Sequence, residues 1–217
     1  MNRAVKSIAQ RLLDAELAIN NTLSNPIILG AVTPFGYTEE RLEAARTLYQ
    51  EARELVDQQK LAYGEQFEAT QIVKRTYTEA TLAYNAAVKV ARVAFRDSPS
   101  GQNALSLNGP RKKNMSGWLD QARRFYSNML QDPKFIAAMT PYSYDQTKLE
   151  AEAALIEAVA TARGAQDRAR GIAQEMTQKR DLKLEQLDRW LADYKAIAEV
   201  ALAVSPQQME QLGWTVA

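Results

Sequence analysis

Apolar residues recur at every third or fourth position through most of this chain, and the interruptions fall at a few corners bearing Pro or Gly. Val5, Ile8, Leu12, Ala15, Ile19 and Leu23 set that spacing and predict an amphipathic helix over residues 3–24. Asn25-Pro26 stops it and opens the next helix, with Asn as N-cap and Pro at the first helical position. Ile27, Ile28, Leu29, Ala31 and Val32 make that piece short and apolar. Thr33-Pro34 ends it, because the residue before a proline is pushed out of the α region. Phe35-Gly36-Tyr37 predicts a turn. Thr38 caps the next helix, with Glu39 and Glu40 well placed at its positive end.

From Glu39 to about Phe95 no proline intervenes, and a heptad register runs throughout. One column is Leu42, Tyr49, Val56, Tyr63, Thr70, Tyr77, Tyr84 and Ala91; its companion is Ala45, Ala52, Gln59, Gln66, Val73, Ala80, Ala87 and Ala94. The register predicts one continuous helix of about 85 Å at 1.5 Å per residue. The alternative is a turn near Tyr63-Gly64-Glu65, which would make a six-helix hairpin-type bundle. A single glycine costs a helix only about 1 kcal/mol, so the continuous helix is the expectation.

The pattern then starts again. Residues 26–48 and 133–155 are identical at nine of 23 positions at a displacement of 107, including Thr33/Thr140, Pro34/Pro141, Tyr37/Tyr144 and Leu42/Leu149. An internal duplication is therefore the expectation. The second set predicts a helix over Trp118–Leu130, a short apolar turn from Asp132-Pro133, an aromatic corner at Tyr142-Ser143-Tyr144, and a long helix from 146 to about 203, capped by Asp145. Residues 96–117 read as the linker. Within it Ser98-Pro99 and Leu105 match Ser205-Pro206 and Leu212, so a short closing element belongs to each half. The predicted fold is an all-α, internally duplicated, elongated bundle with two long antiparallel helices and shorter flanking ones. Its halves are 1–109 and 110–217, packed about a pseudo-two-fold axis.

At NPIILGAVTPFGYTEERLEAA, GEQFEAT, KVARVAFRDSP and WLDQARRFYSNMLQDP the chain resembles a group of uncharacterised bacterial helical proteins with an internal duplication. The likeness covers nearly the whole chain and extends to the closing segment SPQQMEQLGW. It implies the same duplicated helical fold and brings no activity, cofactor or catalytic residue.

Composition narrows the chemistry. The chain contains neither His nor Cys. That excludes disulfides, thiolate or imidazole metal sites, and Ser–His or Cys–His nucleophile pairs within one chain. A ferritin-like dimetal motif requires His as well. The formal net charge of +1 implies no nucleic-acid-binding field. No long apolar run and no signal-peptide core occur, so a cytoplasmic location without membrane contact is the expectation. Phosphate loops of the GxGxxG or GxxxxGK[ST] kind are also missing.

The remaining candidates are modest. Glu51/Glu54 and Glu150/Glu157 have helical spacing but sit among Arg and Lys, as solvated faces do. Arg111-Lys112-Lys113, with Arg123, Arg124, Arg163, Arg168, Arg170, Lys179 and Arg180, offers a basic stripe interleaved with acids. Tyr49, Tyr63, Tyr77 and Tyr84 share a column, which reads as packing or as the lining of a groove. Polar seam positions at Gln59, Gln66, Thr70, Arg163, Gln166, Arg170, Thr177 and Arg180 read as a solvated coil or a polar groove. No catalytic, cofactor-binding or metal-binding residue is assigned, and no cofactor is expected. The expected function is a non-enzymatic structural or protein-interaction bundle, self-associating as a homodimer or held by a protein partner. A bundle holding a small apolar or aromatic ligand is the alternative, and an enzyme comes last.

Overall fold

Each corner of the chain is cut by a proline or a left-handed residue, and the helices run between them. The computed structural model describes residues 6–214, so Val5 and the end of the closing stretch, 215–217, lie outside the described residues. Helix α1 (Ile8–Ser24) is followed by α2 (Pro26–Val32), a 3-10 turn (Thr33–Phe35) and α3 (Glu39–Ala94). Next come α4 (Pro99–Ala104), α5 (Met115–Gln131), α6 (Pro133–Met139), a second 3-10 turn (Thr140–Tyr142), α7 (Gln146–Ala201) and α8 (Pro206–Gln211). The protein is an all-α bundle, with no strand among the described residues. No helix described is long and apolar enough to cross a membrane.

The local chemistry explains the breaks. Asn25 Oδ1 accepts from the Ile27 and Ile28 amides at 3.0 and 3.4 Å, and Asp132 Oδ1 accepts from Lys134 N–H at 2.9 Å. Both caps precede a proline whose missing N–H costs nothing at the first helical position. After each 3-10 turn the chain reverses through one left-handed residue, Gly36 at φ 84° and Ser143 at φ 63°. Thr38 Oγ1 and Asp145 Oδ1 then cap the long helices, at 3.3 Å from Arg41 N and 2.8 Å from Lys148 N.

Both long helices are continuous. Each has 56 residues, about 84 Å at 1.5 Å per residue, and passes through Gly64 or Gly171 without a turn. Every element from α1 to α4 recurs at the 107-residue displacement in α5 to α8. The structure departs from the sequence expectation in two stretches. Residues 96–117 are more than a linker, because Ser98 Oγ caps α4 by accepting from Gly101 N–H at 3.2 Å. Helix α5 starts at Met115 rather than Trp118, since Asn114 Oδ1 takes the Gly117 amide at 2.7 Å.

The chain divides into two compact units, Met1–Gly64 with Gly171–Ala217, and Glu65–Arg170. This division differs from 1–109 and 110–217: each unit takes the opening helices of one half of the sequence and the close of the other.

In the first unit, α1, α2, the beginning of α3 and the end of α7 surround Ile19, Ile28, Val32, Tyr37, Leu42, Leu187, Tyr194 and Trp214, all buried. Tyr37, just ahead of α3, packs on Tyr194 late in α7 with ring centroids 4.9 Å apart. Further along α3, Glu51 pairs with Lys183, earlier in α7, at 2.9 Å. The two stretches are therefore antiparallel. Arg41 lies 4.1 Å over the Tyr37 ring, which ties the corner to the first turn of α3.

In the second unit one core joins Tyr84, Phe95, Trp118, Phe125, Tyr126, Met139, Tyr144 and Ile156. Aromatic edges meet faces here, with Tyr84–Phe125 at 5.6 Å and Phe95–Phe135 at 5.2 Å. Burying each such side chain contributes about 1.5–3 kcal/mol. Lys148 Nζ stands 3.9 Å over Tyr144, as Arg41 does over Tyr37.

Candidate functional site

The first unit carries a groove of about 620 Å³ between α1 and α3. Glu16 and Asn20 supply one wall and Arg46, Gln50, Arg53 and Glu54 the other. Tyr49 forms its floor. The ring is held in the core by Ala15, Ile19 and Val56, while its hydroxyl reaches the groove and accepts from Arg53 Nη1 at 3.1 Å. Burial pushes the Tyr49 phenol up and Glu16 adds to it, against Arg53, so the hydroxyl stays protonated. Arg46 is drawn back along α3 to Glu43, at 2.7 Å.

The second unit has a groove of about 370 Å³ in the matching place, between α5 and α7. Arg123, Ser127, Ala153, Ile156 and Glu157 stand 107 positions after Glu16, Asn20, Arg46, Tyr49 and Gln50. The chemistry differs. Arg123 bridges to Glu157 through two bonds of 2.8 and 2.7 Å, and this pairing holds the Glu157 carboxyl below its usual range. The acid at position 16 has become a base at 123, and an apolar floor replaces Tyr49.

Behind that groove Glu152 is only 8% exposed, and its Oε2 accepts from the Tyr126 hydroxyl at 2.9 Å. Burial raises the Glu152 carboxyl above the ordinary glutamate value, partly offset by the Tyr126 bond and by Lys148. Burial, then the nearby carboxylate, pushes the Tyr126 phenol up strongly. This pair can hold a proton in the core. The sequence carried a signal for it: Leu149, Glu152, Ile156 and Val159 follow core spacing, with the acid among apolar neighbours.

The residues singled out from sequence do not converge. Glu51 pairs with Lys183, Glu54 accepts from Gln58 at 2.9 Å, Glu150 accepts from Gln146 at 2.8 Å, and Glu157 holds Arg123. No three acidic side chains among the described residues are arranged to hold a metal.

The basic stripe is largely taken up by partners. Arg111 donates to Tyr84 Oη at 2.9 Å and to Ser106 O at 2.6 Å, while Arg124, Arg163, Lys179 and Arg180 pair with Asp120, Asp167, Glu175 and Asp181. Of the seam residues, Arg163 and Gln166 bond each other at 2.6 Å, and Gln166 donates to Thr70 Oγ1 at 3.1 Å.

The tyrosine column does not share one environment. Tyr49 and Tyr84 are buried, Tyr77 packs edge-on to Trp118 at 4.8 Å, and Tyr63 is 51% exposed. The reason is local. The apolar cluster that α1 builds on α3 ends with Val56, and beyond it the buried side narrows to Ala62.

Comparison of this chain with protein-family models, with curated proteins and with solved structures returns no match.

Proposed function

We propose that the chain is a non-enzymatic helical interaction protein that associates with a second copy of itself through the outer faces of its long helices. The observation that carries this reading is the set of large apolar side chains left on those faces. Leu61, Phe67 and Leu82 on α3 and Leu182 and Val200 on α7 are each more than 60% exposed. Large apolar side chains left in water on a helix face gain by being covered in an association. A net charge of +1 adds little long-range repulsion between two copies.

In this reading the elements recurring at 107 residues arose by duplication, as in the uncharacterised helical group the sequence resembles. The chain works in the cytoplasm without nucleic acid. Light scattering after size exclusion, over a range of concentrations, tests it. A dimer is expected, and Phe67→Glu with Leu82→Glu should return the monomer. A monomer at every concentration overturns the proposal.

The second reading is a small apolar or aromatic ligand held in the α1–α3 groove of the first unit, and the Tyr49 floor favours it. Native mass spectrometry of freshly purified protein that shows the bare chain mass alone would remove it.

A further inference from the structure

Both units bury polar groups, but of different kinds. In the first, Thr22 is fully buried, donates to Ala18 O at 2.7 Å and bonds the Tyr194 hydroxyl. Those groups are neutral across the physiological range; burial pushes the Tyr194 phenol up to about 12. In the second, the buried group is the Glu152 carboxyl. The position 107 residues earlier is Ala45, only 2% exposed, so the same place in the first unit is apolar.

The ionisable groups around Glu152 come from every neighbouring element. Tyr126 of α5 donates to it, Tyr144 comes from the corner before α7, and Lys148 lies one turn earlier on α7. Tyr84 of α3 lies 6.2 Å from the Tyr126 ring, and Arg111 holds the Tyr84 hydroxyl, with Arg92 nearby. Arg123 and Glu157 satisfy each other at the groove rim. Among the described residues Lys148 is the cation whose charge acts on the carboxylate, without forming an ion pair with it, and it already sits on the Tyr144 ring.

We propose that proton loss from Glu152 loosens the packing of α5 on α7, making the second unit sensitive to rising pH while the first is not. The sign comes from linkage. Burial, the largest influence on Glu152, keeps its proton bound in the folded unit at pH values where the unfolded chain has released it. The stabilisation is complete below the ordinary glutamate value of 4.5 and is lost as pH climbs through the raised folded value. Between those limits one extra bound proton changes the opening equilibrium by about tenfold per pH unit.

Amide hydrogen exchange on the full chain, corrected for intrinsic rates and read from pH about 4.5 upward, tests this. In the wild type, protection of α5 and the first turns of α7 should fall by up to about tenfold per pH unit, and α1 should hold. Glu152→Gln keeps an acceptor for Tyr126 and should abolish the slope in α5. Glu152→Ala, which installs the residue of the matching position, should do the same. Identical pH profiles for wild type and both variants overturn the proposal. An equal loss of protection in α1 and α5 overturns it too, because it would reflect the charge of the whole chain.

Discussion

Replacing Gly64 by Ala probes the continuity of α3 at the one place where the sequence offered a turn. The glycine lies inside a helix of 56 residues, is exposed, and a Cβ built on it meets nothing within 4 Å. The new methyl therefore neither clashes nor packs, and the effect reduces to the backbone. Alanine loses less conformational freedom than glycine on entering a helix, a gain of about 0.5–1 kcal/mol. For a chain of this size that raises Tm by about 2–4 °C per kcal/mol.

A left-handed glycine at a hairpin turn would respond in the opposite direction, losing about 1–2 kcal/mol when given a Cβ. Urea titration followed by circular dichroism separates the two, since the expected changes differ in sign. Gly171→Ala in α7, equally open around its Cβ, should behave alike. Gly101→Ala provides the contrast, because its Cβ would stand 2.6 Å from the Phe95 ring and should cost about 1–3 kcal/mol. A loss of stability in Gly64→Ala would refute the continuous helix and the reasoning from it.

Two further changes test particular contacts. Tyr126→Phe removes the donor to Glu152 and leaves a buried carboxyl without its hydroxyl partner, so thermal denaturation should show a loss of about 1–3 kcal/mol. Asn25→Ala removes the acceptor for two amides at the start of α2 and should cost about 1 kcal/mol in the same assay.

Much of the fold was legible because the local signals agree with one another. Asn25-Pro26 and Asp132-Pro133 start helices, Thr38 and Asp145 restart them after the aromatic corner, and the Leu42 register carries α3 through Gly64. Periodicity could not supply the place where neighbours end. Tyr63 shares a column with Tyr49 and Tyr84, but the apolar cluster at the end of α1 does not extend to it, so identical spacing gives a buried ring in one place and an exposed one in another.

The Tyr126–Glu152 pair was legible only in part: the spacing sets Glu152 among core positions, but nothing along the chain pairs it with Tyr126. Position 152 falls opposite Ala45, and laying one half over the other brings out the positions they share. The substitution at 152 records where they differ. The units themselves were not legible either, since they depend on which parts of α3 and α7 lie together, and helical periodicity reports only that both helices bury a face.

The division into a contiguous unit and a split one has a consequence for synthesis. All the chain needed for Glu65–Arg170 has been made once Arg170 is added, whereas the opening helices lack their partners until Gly171–Ala217 has been made as well. At about 5–20 residues per second, α1, α2 and the start of α3 wait about 8–30 s with the sides of Ile28 and Tyr37 that meet α7 uncovered. Folding on the ribosome should thus secure Glu65–Arg170 before the unit whose two pieces bracket it.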